Sequence, residues 1–261
     1  TLLAAQATKI RVLGCSGGIG GALRTTALLV DDDVLIDAGT GVGDLSLAEL
    51  SLVDHVFVTH SHLDHVASIA FIADTVGGMR AKPILVHATR ETITILKNHI
   101  FNWEIWPDFS QIPSPQAPFM RYEEIELGRT VSLAGRAFTP LPAIHTVPAV
   151  GFQLDSGSGS LVFTGDTGPN DALWAIVNRI ANLKYLIIET AFANKERHLA
   201  ELSKHLCPSM LAEELLKFER DAEVYVTHLK PGETELTMQE IEESAGRLQP
   251  RMLQNHQDFE F

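Results

Sequence analysis

The chain has 261 residues, 45% of them hydrophobic and 20% charged, an ordinary globular composition with enough apolar mass for one large core. Lys and Arg number 20 against 33 Asp and Glu, and the net charge of −13 disfavours long nucleic acid as a partner. No apolar run approaches the roughly 18 residues that a membrane span needs, and the 2 cysteines, Cys15 and Cys207, read as free thiols.

The opening run TLLAAQA ends in Ala5-Gln6-Ala7, like the tail of a secretory signal with its A-x-A site. Residues 1–8 are therefore read as a leader remnant or N-terminal extension, with a slight lean to a periplasmic or exported protein over a cytoplasmic one. Residues 9–261 are read as a single domain. Within it, short β-branched runs recur: KIRVLG (9–14), TTALLVD (25–31), DVLIDAG (33–39), HVFVTH (55–60), PILVHA (83–88), VGFQLDS (150–156), SLVFTGDT (160–167), KYLIIET (184–190) and EVYVTHL (223–229). Most are too short for helices and read as strands. The turn-rich joints DDD (31–33) and DSGSGS (155–160) predict antiparallel hairpins rather than parallel crossovers alone.

Helical spacing interleaves with these runs. Ile69, Ile72, Ala73 and Val76 share one face and stop at Gly77-Gly78; Leu173, Ile176, Val177 and Ile180 repeat the pattern after Pro169. Pro208 can open a helix carrying Leu211, Leu215 and Phe218, and Thr237-x-x-Glu240 reads as a capping box ahead of Ile241, Ala245 and Leu248. The fold class is α/β (α+β). Residues 98–121, with four prolines and two of the three tryptophans, read as an ordered insertion on the rim. Its Trp103, Trp106 and Phe109 could stack on a base, although core packing or a subunit contact is the preferred role. The GCSGGIGG stretch (14–21) lacks the lysine of a phosphate loop and reads as a tight hairpin turn near a site.

The densest chemistry is THSHLDH at 59–65. Side chains at i and i+2 of an extended segment share a face, so His60 and His62 can converge on one cation. Asp64 and His65 fall where a turn enters a helix and can aim at a second. Further ligands stand at strand ends: His145 after TPLPAI, Asp166 after LVFTG and His228 after VYVT. A carboxylate can bridge two cations with its two oxygens, as imidazole cannot, so Asp166 takes the bridging role. Asp37 in LIDAG could stand behind these histidines or be a simple turn acid. His55, His87, His99, His198 and His256 lack partners at useful spacing and read as structural or solvated.

THSHLDH, FTGDT and VTHLKPG, in that order with His145 between the first two, resemble the metallo-β-lactamase superfamily across essentially the whole chain. The resemblance implies a four-layer αββα sandwich with a dinuclear site at one edge of the two sheets. It assigns His60, His62 and His145 to one metal, Asp64, His65 and His228 to the other, and Asp166 to both. HSHLDHVASIA, LGCSGGIGG, NWEIWPDF and KHLCP further resemble the class II cyclic-nucleotide phosphodiesterases, a small branch of that superfamily.

The chemistry expected of such a site is phosphodiester hydrolysis. Water held between two divalent ions ionises near pH 7, so the expected nucleophile is that hydroxide, not a side chain. The leaving alkoxide needs a proton. His205 in SKHLCPS is the candidate acid, with Glu189 at the end of KYLIIET orienting it and pairing with its charge; Asp64 is counted as catalytic as well as a ligand. The Glu189–His205 pair resembles the glutamate and histidine of the tRNA-maturing nucleases of the superfamily. The leading reading is a metal-dependent 3′,5′-cyclic-nucleotide phosphodiesterase acting on cAMP or cGMP. It uses two divalent ions, zinc named first, with manganese and iron also compatible with the donors. The alternatives are a tRNA-maturing endoribonuclease, a lactone, thioester or β-lactam hydrolase, and a non-catalytic metal- or nucleotide-binding protein. The expected partner is a small cyclic nucleotide, with neither long nucleic acid nor membrane; the aromatic insertion is compatible with a homodimer.

Overall fold

Along each predicted strand, successive side chains point to opposite faces, and in this protein both faces are buried. The computed structural model describes residues 7–244 and 246–261; residues 1–6 of the expected leader and Ala245 of the last predicted helix lie outside them. The first half runs β1 (Lys9–Gly14), β2 (Ala27–Val30), β3 (Val34–Ile36), α1 (Leu47–Ser51), β4 (His55–Phe57), α2 (Leu63–Val76), β5 (Ile84–Ala88), α3 (Arg90–His99) and β6 (Met120–Glu124). The second runs β7 (Val131–Leu133), β8 (Arg136–Pro142), β9 (Val150–Asp155), β10 (Ser160–Phe163), α4 (Asp171–Val177), β11 (Leu183–Glu189), α5 (Arg197–Ser203), α6 (Pro208–Leu215), β12 (Glu223–Thr227), α7 (Thr234–Ser244), β13 (Arg251–Met252) and β14 (Asp258–Glu260).

These strands form two seven-stranded sheets, in the orders β14-β1-β2-β3-β4-β5-β6 and β13-β12-β11-β10-β9-β8-β7. Period-2 alternation divides their side chains between layers. In β2, Leu28 and Val30 enter the layer between the sheets with Phe57, Phe138, Phe152 and Phe163, where the Phe57 and Phe138 rings stack at 4.5 Å. Ala27 and Leu29 face outward into a layer covered by Val66, Ile69 and Ile72 of α2 and Leu96 of α3. Val162, Leu186 and Ile188 of the second sheet lie beneath α4, α6 and α7. The expected four-layer αββα sandwich is the observed one.

The hairpin expectations hold as well: β2 and β3 pair antiparallel across the DDD turn, and β9 and β10 across DSGSGS. The buried Arg136 clamps that first turn to the second sheet, 3.0 Å from Asp31 and 2.7 Å from Asp33. Elsewhere β3 to β6 and β10 to β13 are parallel neighbours. Parallel strands end at one edge of a sheet, so the loops that follow them gather there.

Local sequence signals need correction in four places, the first being that α6, opened by Pro208, ends at Leu215 and does not carry Phe218. The proposed Thr237 capping box is not a helix start, because α7 begins at Thr234 and Thr237 is buried inside it. The α4 helix is capped by the Asn170 side chain and ends at Val177, short of Ile180. The expected 98–121 insertion is the connection between α3 and β6, with its first residues in α3 and its last two in β6. Phe109 from this connection is buried, and the Trp106 indole donates to the Ala70 carbonyl at 2.9 Å while its ring packs edge-on to Phe71. Packing accounts for those two aromatics; Trp103 stands 62% exposed.

Candidate metal centre

Four of the seven expected ligands, His60, His145, Asp166 and His228, lie just past the end of a strand, and the other three at the start of a helix. His60 follows β4 and His62 is the N-cap residue of α2, whose first turn carries Asp64 and His65. A carboxylate in that turn also suits the positive end of the helix dipole. His145 follows β8, Asp166 follows β10 and His228 follows β12, all at one edge of the sandwich.

The side chains converge into two groups, His60, His62, His145 and Asp166, and Asp64, His65, Asp166 and His228. Within each, the ligand atoms lie within 4.8 Å of one another. Asp166 belongs to both. Its Oδ2 lies 3.2 Å from His65 Nε2, 3.2 Å from His228 Nε2, 3.6 Å from His60 Nε2 and 3.9 Å from His145 Nε2. His145 Nε2 approaches His62 Nδ1 at 3.2 Å, and Asp64 Oδ2 sits 3.3 Å from His65 Nε2 and 3.2 Å from His228 Nε2.

Hydrogen bonds behind the ligands choose which ring nitrogen faces inward. Asp37 accepts from the Thr59 N–H and Thr59 hydroxyl, both at 2.8 Å, and from His65 Nδ1 at 2.6 Å. With its proton on Asp37, the Thr59 oxygen accepts from His60 Nδ1 at 2.9 Å. His145 Nδ1 donates to the Lys204 carbonyl at 3.0 Å. In each ring the outer nitrogen is the donor, which leaves Nε2 as the nitrogen turned to the centre. The two readings left open for Asp37 thus resolve: it is fully buried and orients His65, from a left-handed backbone position with φ of 59°.

Electrostatics fit a cation site. His60 Nε2 is buried and has no hydrogen-bond partner among the described residues, the state of a nitrogen built to donate to a metal. Burial pushes His145 down to about 4 and His60 well below its ordinary value, so both keep free lone pairs at neutral pH. Burial alone would lift the Asp166 carboxyl, but His228 and His65 outweigh it and hold Asp166 far down. In return, and against their own burial, Asp166 lifts His228 to about 10 and Asp166 with Asp37 lifts His65 well up. Asp166 therefore stays ionised and draws positive charge to its own side of the cluster. Imidazole and carboxylate donors in these numbers suit borderline divalent ions.

The candidate acid is brought to the same place. His205 Nδ1 lies 2.6 Å from Glu189 Oε1, and Glu189 is fully buried, accepting also from the Thr167 N–H at 3.0 Å and the Leu206 N–H at 3.2 Å. The His205 ring centroid is 4.9 Å from that of His145 and 5.1 Å from that of His228.

The glycine-rich stretch is a hairpin turn beside this centre, as expected. Gly20 and Gly21 adopt φ of 137° and 55°, and Leu23 N–H donates to the Gly20 carbonyl at 2.9 Å. Gly17 N–H donates to the Leu229 carbonyl, and a Cβ on Gly17 would lie 2.7 Å from the His228 carbonyl oxygen. His55 and His87 are structural, as read, but not partnerless: they meet each other, with His55 Nδ1 2.9 Å from His87 Nε2 across β4 and β5. Sequence reasoning also passed over Thr59, Thr167 and the Lys204 carbonyl. Only the threonines left a signal, as the flanking residues of THSHLDH and FTGDT.

Comparison with known proteins gives concordant results. Residues 32–250 match the family described as Beta-lactamase superfamily domain. The chain is 25% identical over 280 residues to a probable 3′,5′-cyclic-nucleotide phosphodiesterase of Yersinia pestis, covering 88% of this chain and 80% of that protein. It is 28% identical over 144 residues to the endoribonuclease ysh1 of Schizosaccharomyces pombe, covering 51% of this chain and 19% of that one. Among solved structures, unliganded yeast PDE1 superposes with a TM-score of 0.80 at 16% identity, covering 97% of this chain and 99% of the other.

Proposed function

The chain belongs to the β-lactamase superfamily, as a hydrolase of its metallo-β-lactamase branch, and from that premise we propose that it hydrolyses 3′,5′-cyclic nucleotides to 5′-monophosphates. The observation that carries the reading is the Glu189–His205 pair set against both ligand groups. Amide and ester hydrolysis by this fold has less use for an acid there, whereas a phosphodiester with an alkoxide leaving group depends on one. The Yersinia pestis relative, a probable cyclic-nucleotide phosphodiesterase along most of its length, supports the same substrate class.

In this reading His60, His62, His145 and Asp166 would hold one divalent ion, and Asp64, His65, His228 and Asp166 a second. When bound, such a pair ionises water near neutral pH and offsets the negative charge of the phosphodiester. Everything else falls to the chain. Asp37, Thr59 and the Lys204 carbonyl orient the ligand imidazoles. His205, held at Nδ1 by Glu189, delivers a proton from Nε2 to the departing 3′ oxygen. Zinc is the ion named first, and a small cyclic monoanion is the partner.

An endoribonuclease is the second reading, favoured by the resemblance to ysh1 over about half of this chain. Against it stand the net charge of −13 and the α3–β6 connection, whose residues 98–121 hold a single Arg and no Lys to grip a polyanion. The test is a substrate panel for the metal-loaded protein: cyclic AMP, cyclic GMP, bis(p-nitrophenyl) phosphate, a precursor tRNA and nitrocefin. Turnover of cyclic nucleotide is expected. Turnover of RNA or nitrocefin with none of cyclic nucleotide would overturn the proposal.

A further inference from the structure

Thr167, one residue past Asp166, joins the Glu189–His205 pair to the loop of His145 without being a ligand. Its N–H donates at 3.0 Å to Glu189 Oε1, the same oxygen that His205 Nδ1 reaches at 2.6 Å. Its hydroxyl accepts from the Ile144 N–H at 2.9 Å, one residue before His145, and donates to the Gly168 carbonyl at 2.9 Å. The Gly168 N–H returns to the Ile144 carbonyl at 2.8 Å, so the loop carrying Asp166 and the loop carrying His145 are laced together at this residue.

The lacing is anchored from behind. The Asn170 side-chain amide donates to the Pro142 carbonyl at 2.8 Å and approaches the Thr167 hydroxyl at 3.4 Å. The Asn170 N–H donates at 3.0 Å to Glu214, a buried carboxylate that also holds the Trp174 indole at 2.7 Å. Together they give Thr167 a rigid seat, and rigidly seated neighbours are what hold ligand geometry within the fraction of an ångström that catalysis needs.

We propose that Thr167 is a positioning residue: its hydroxyl holds the His145 loop in register with Asp166 while its N–H holds the Glu189–His205 acid over both. The inference rests on the ligand set and acid assigned above. It is separable from the identity of the substrate, because the first reading of its test is metal binding.

The test uses the full chain with Thr167→Val, which keeps shape but loses the hydroxyl, and Thr167→Ser, which keeps the hydroxyl. Should the Val variant not fold, Thr167→Ala replaces it. Zinc titrated into chelator-stripped protein against a competing indicator is expected to bind the Ser variant as it binds wild type. The Val variant is expected to lose about tenfold in the affinity of one zinc, the ion that includes His145. The Thr167 N–H to Glu189 is kept in every variant, so the zinc-loaded Val form should lose turnover of a cyclic nucleotide and of bis(p-nitrophenyl) phosphate by the same factor, the acid staying in place. Wild-type zinc binding by the Val variant, an equal loss in the Ser variant, or a fall confined to the cyclic nucleotide would each overturn the proposal. A wild type that binds zinc but turns over no cyclic nucleotide sinks the functional reading and leaves the zinc comparison standing.

Discussion

His205 and Glu189 stand 2.6 Å apart, Nδ1 to Oε1, although one follows a helix and the other ends a central strand. A carboxylate with no exposure, filled on its other sides by the Thr167 and Leu206 amides, leaves the imidazole one orientation. That fixes Nδ1 as the inner donor and Nε2 as the nitrogen that serves substrate.

Replacing His205 with Ala should therefore lower kcat for cyclic nucleotides by about 100- to 1,000-fold, within the usual range for loss of a general acid. The fall for bis(p-nitrophenyl) phosphate should be about tenfold or less, since p-nitrophenolate departs unprotonated. Glu189→Gln should show the same ordering with smaller losses. Steady-state rates with both substrates decide it, and equal falls would remove His205 from the role of acid.

Asp37 acts through His65 and Thr59, so Asp37→Ala should weaken metal binding by about 10- to 100-fold. Zinc release to a chelator, followed spectroscopically, gives the measurement. A variant that retains zinc as wild type does would show that His65 needs no such support.

Two glycines in one hairpin should behave differently. A Cβ at Gly17 would press on the His228 carbonyl oxygen at 2.7 Å and His228 Nδ1 at 3.0 Å, whereas at Gly21 nothing lies within 4 Å. Gly17→Ala should push His228 off its ligand position and weaken zinc binding. Gly21→Ala, strained only by its φ of 55°, should cost about 1 kcal/mol of stability and leave zinc binding alone. Denaturant melts and zinc titrations on the pair separate backbone strain from displacement of the ligand.

His87 supplies a pH dependence unrelated to the metal centre. Burial, with a smaller push from His55, lowers its pKa to about 4, while the unfolded chain has an ordinary imidazole near 6.5. The folded value is the lower one, so the unfolded chain takes up the proton first as pH falls. Stability linked to His87 is complete above about 6.5 and drains away as pH drops toward 4, by up to about 3 kcal/mol. Urea melts of metal-free protein at pH 7 and pH 4.5 should show a smaller difference in His87→Phe than in wild type. An unchanged difference would mean that the imidazole already carries its proton in the folded state.

Much of the centre was legible because its chemistry is local. Three histidines and an aspartate within THSHLDH need only strand and helix periodicity to be divided between the two converging side-chain groups, and His145, Asp166 and His228 declare themselves as polar residues ending apolar runs. The missed strands, β6, β7, β8, β13 and β14, are short or disguised: β8 carries Pro140 and Pro142 within RAFTPLP, β6 reads MRYEE with few apolar residues, and β7, β13 and β14 have three residues or fewer. The missed support is nonlocal. No spacing rule links Asp37 to His65, Thr167 to Glu189, or His55 to His87, because neighbouring strands and returning loops choose those partners.

By itself, then, the order of residues determined which side chains could hold cations and that strands and helices would alternate, since both follow from donor chemistry and from the 2.0 and 3.6 periods of the backbone. Only the tertiary structure decided which nitrogen each imidazole offers, why Gly17 can bear no side chain, and how Asp64 meets His228 across 164 positions of chain. Hydrogen bonds and close contacts depend on angles and tenths of an ångström, and those are set when two sheets pack, not by neighbours in sequence.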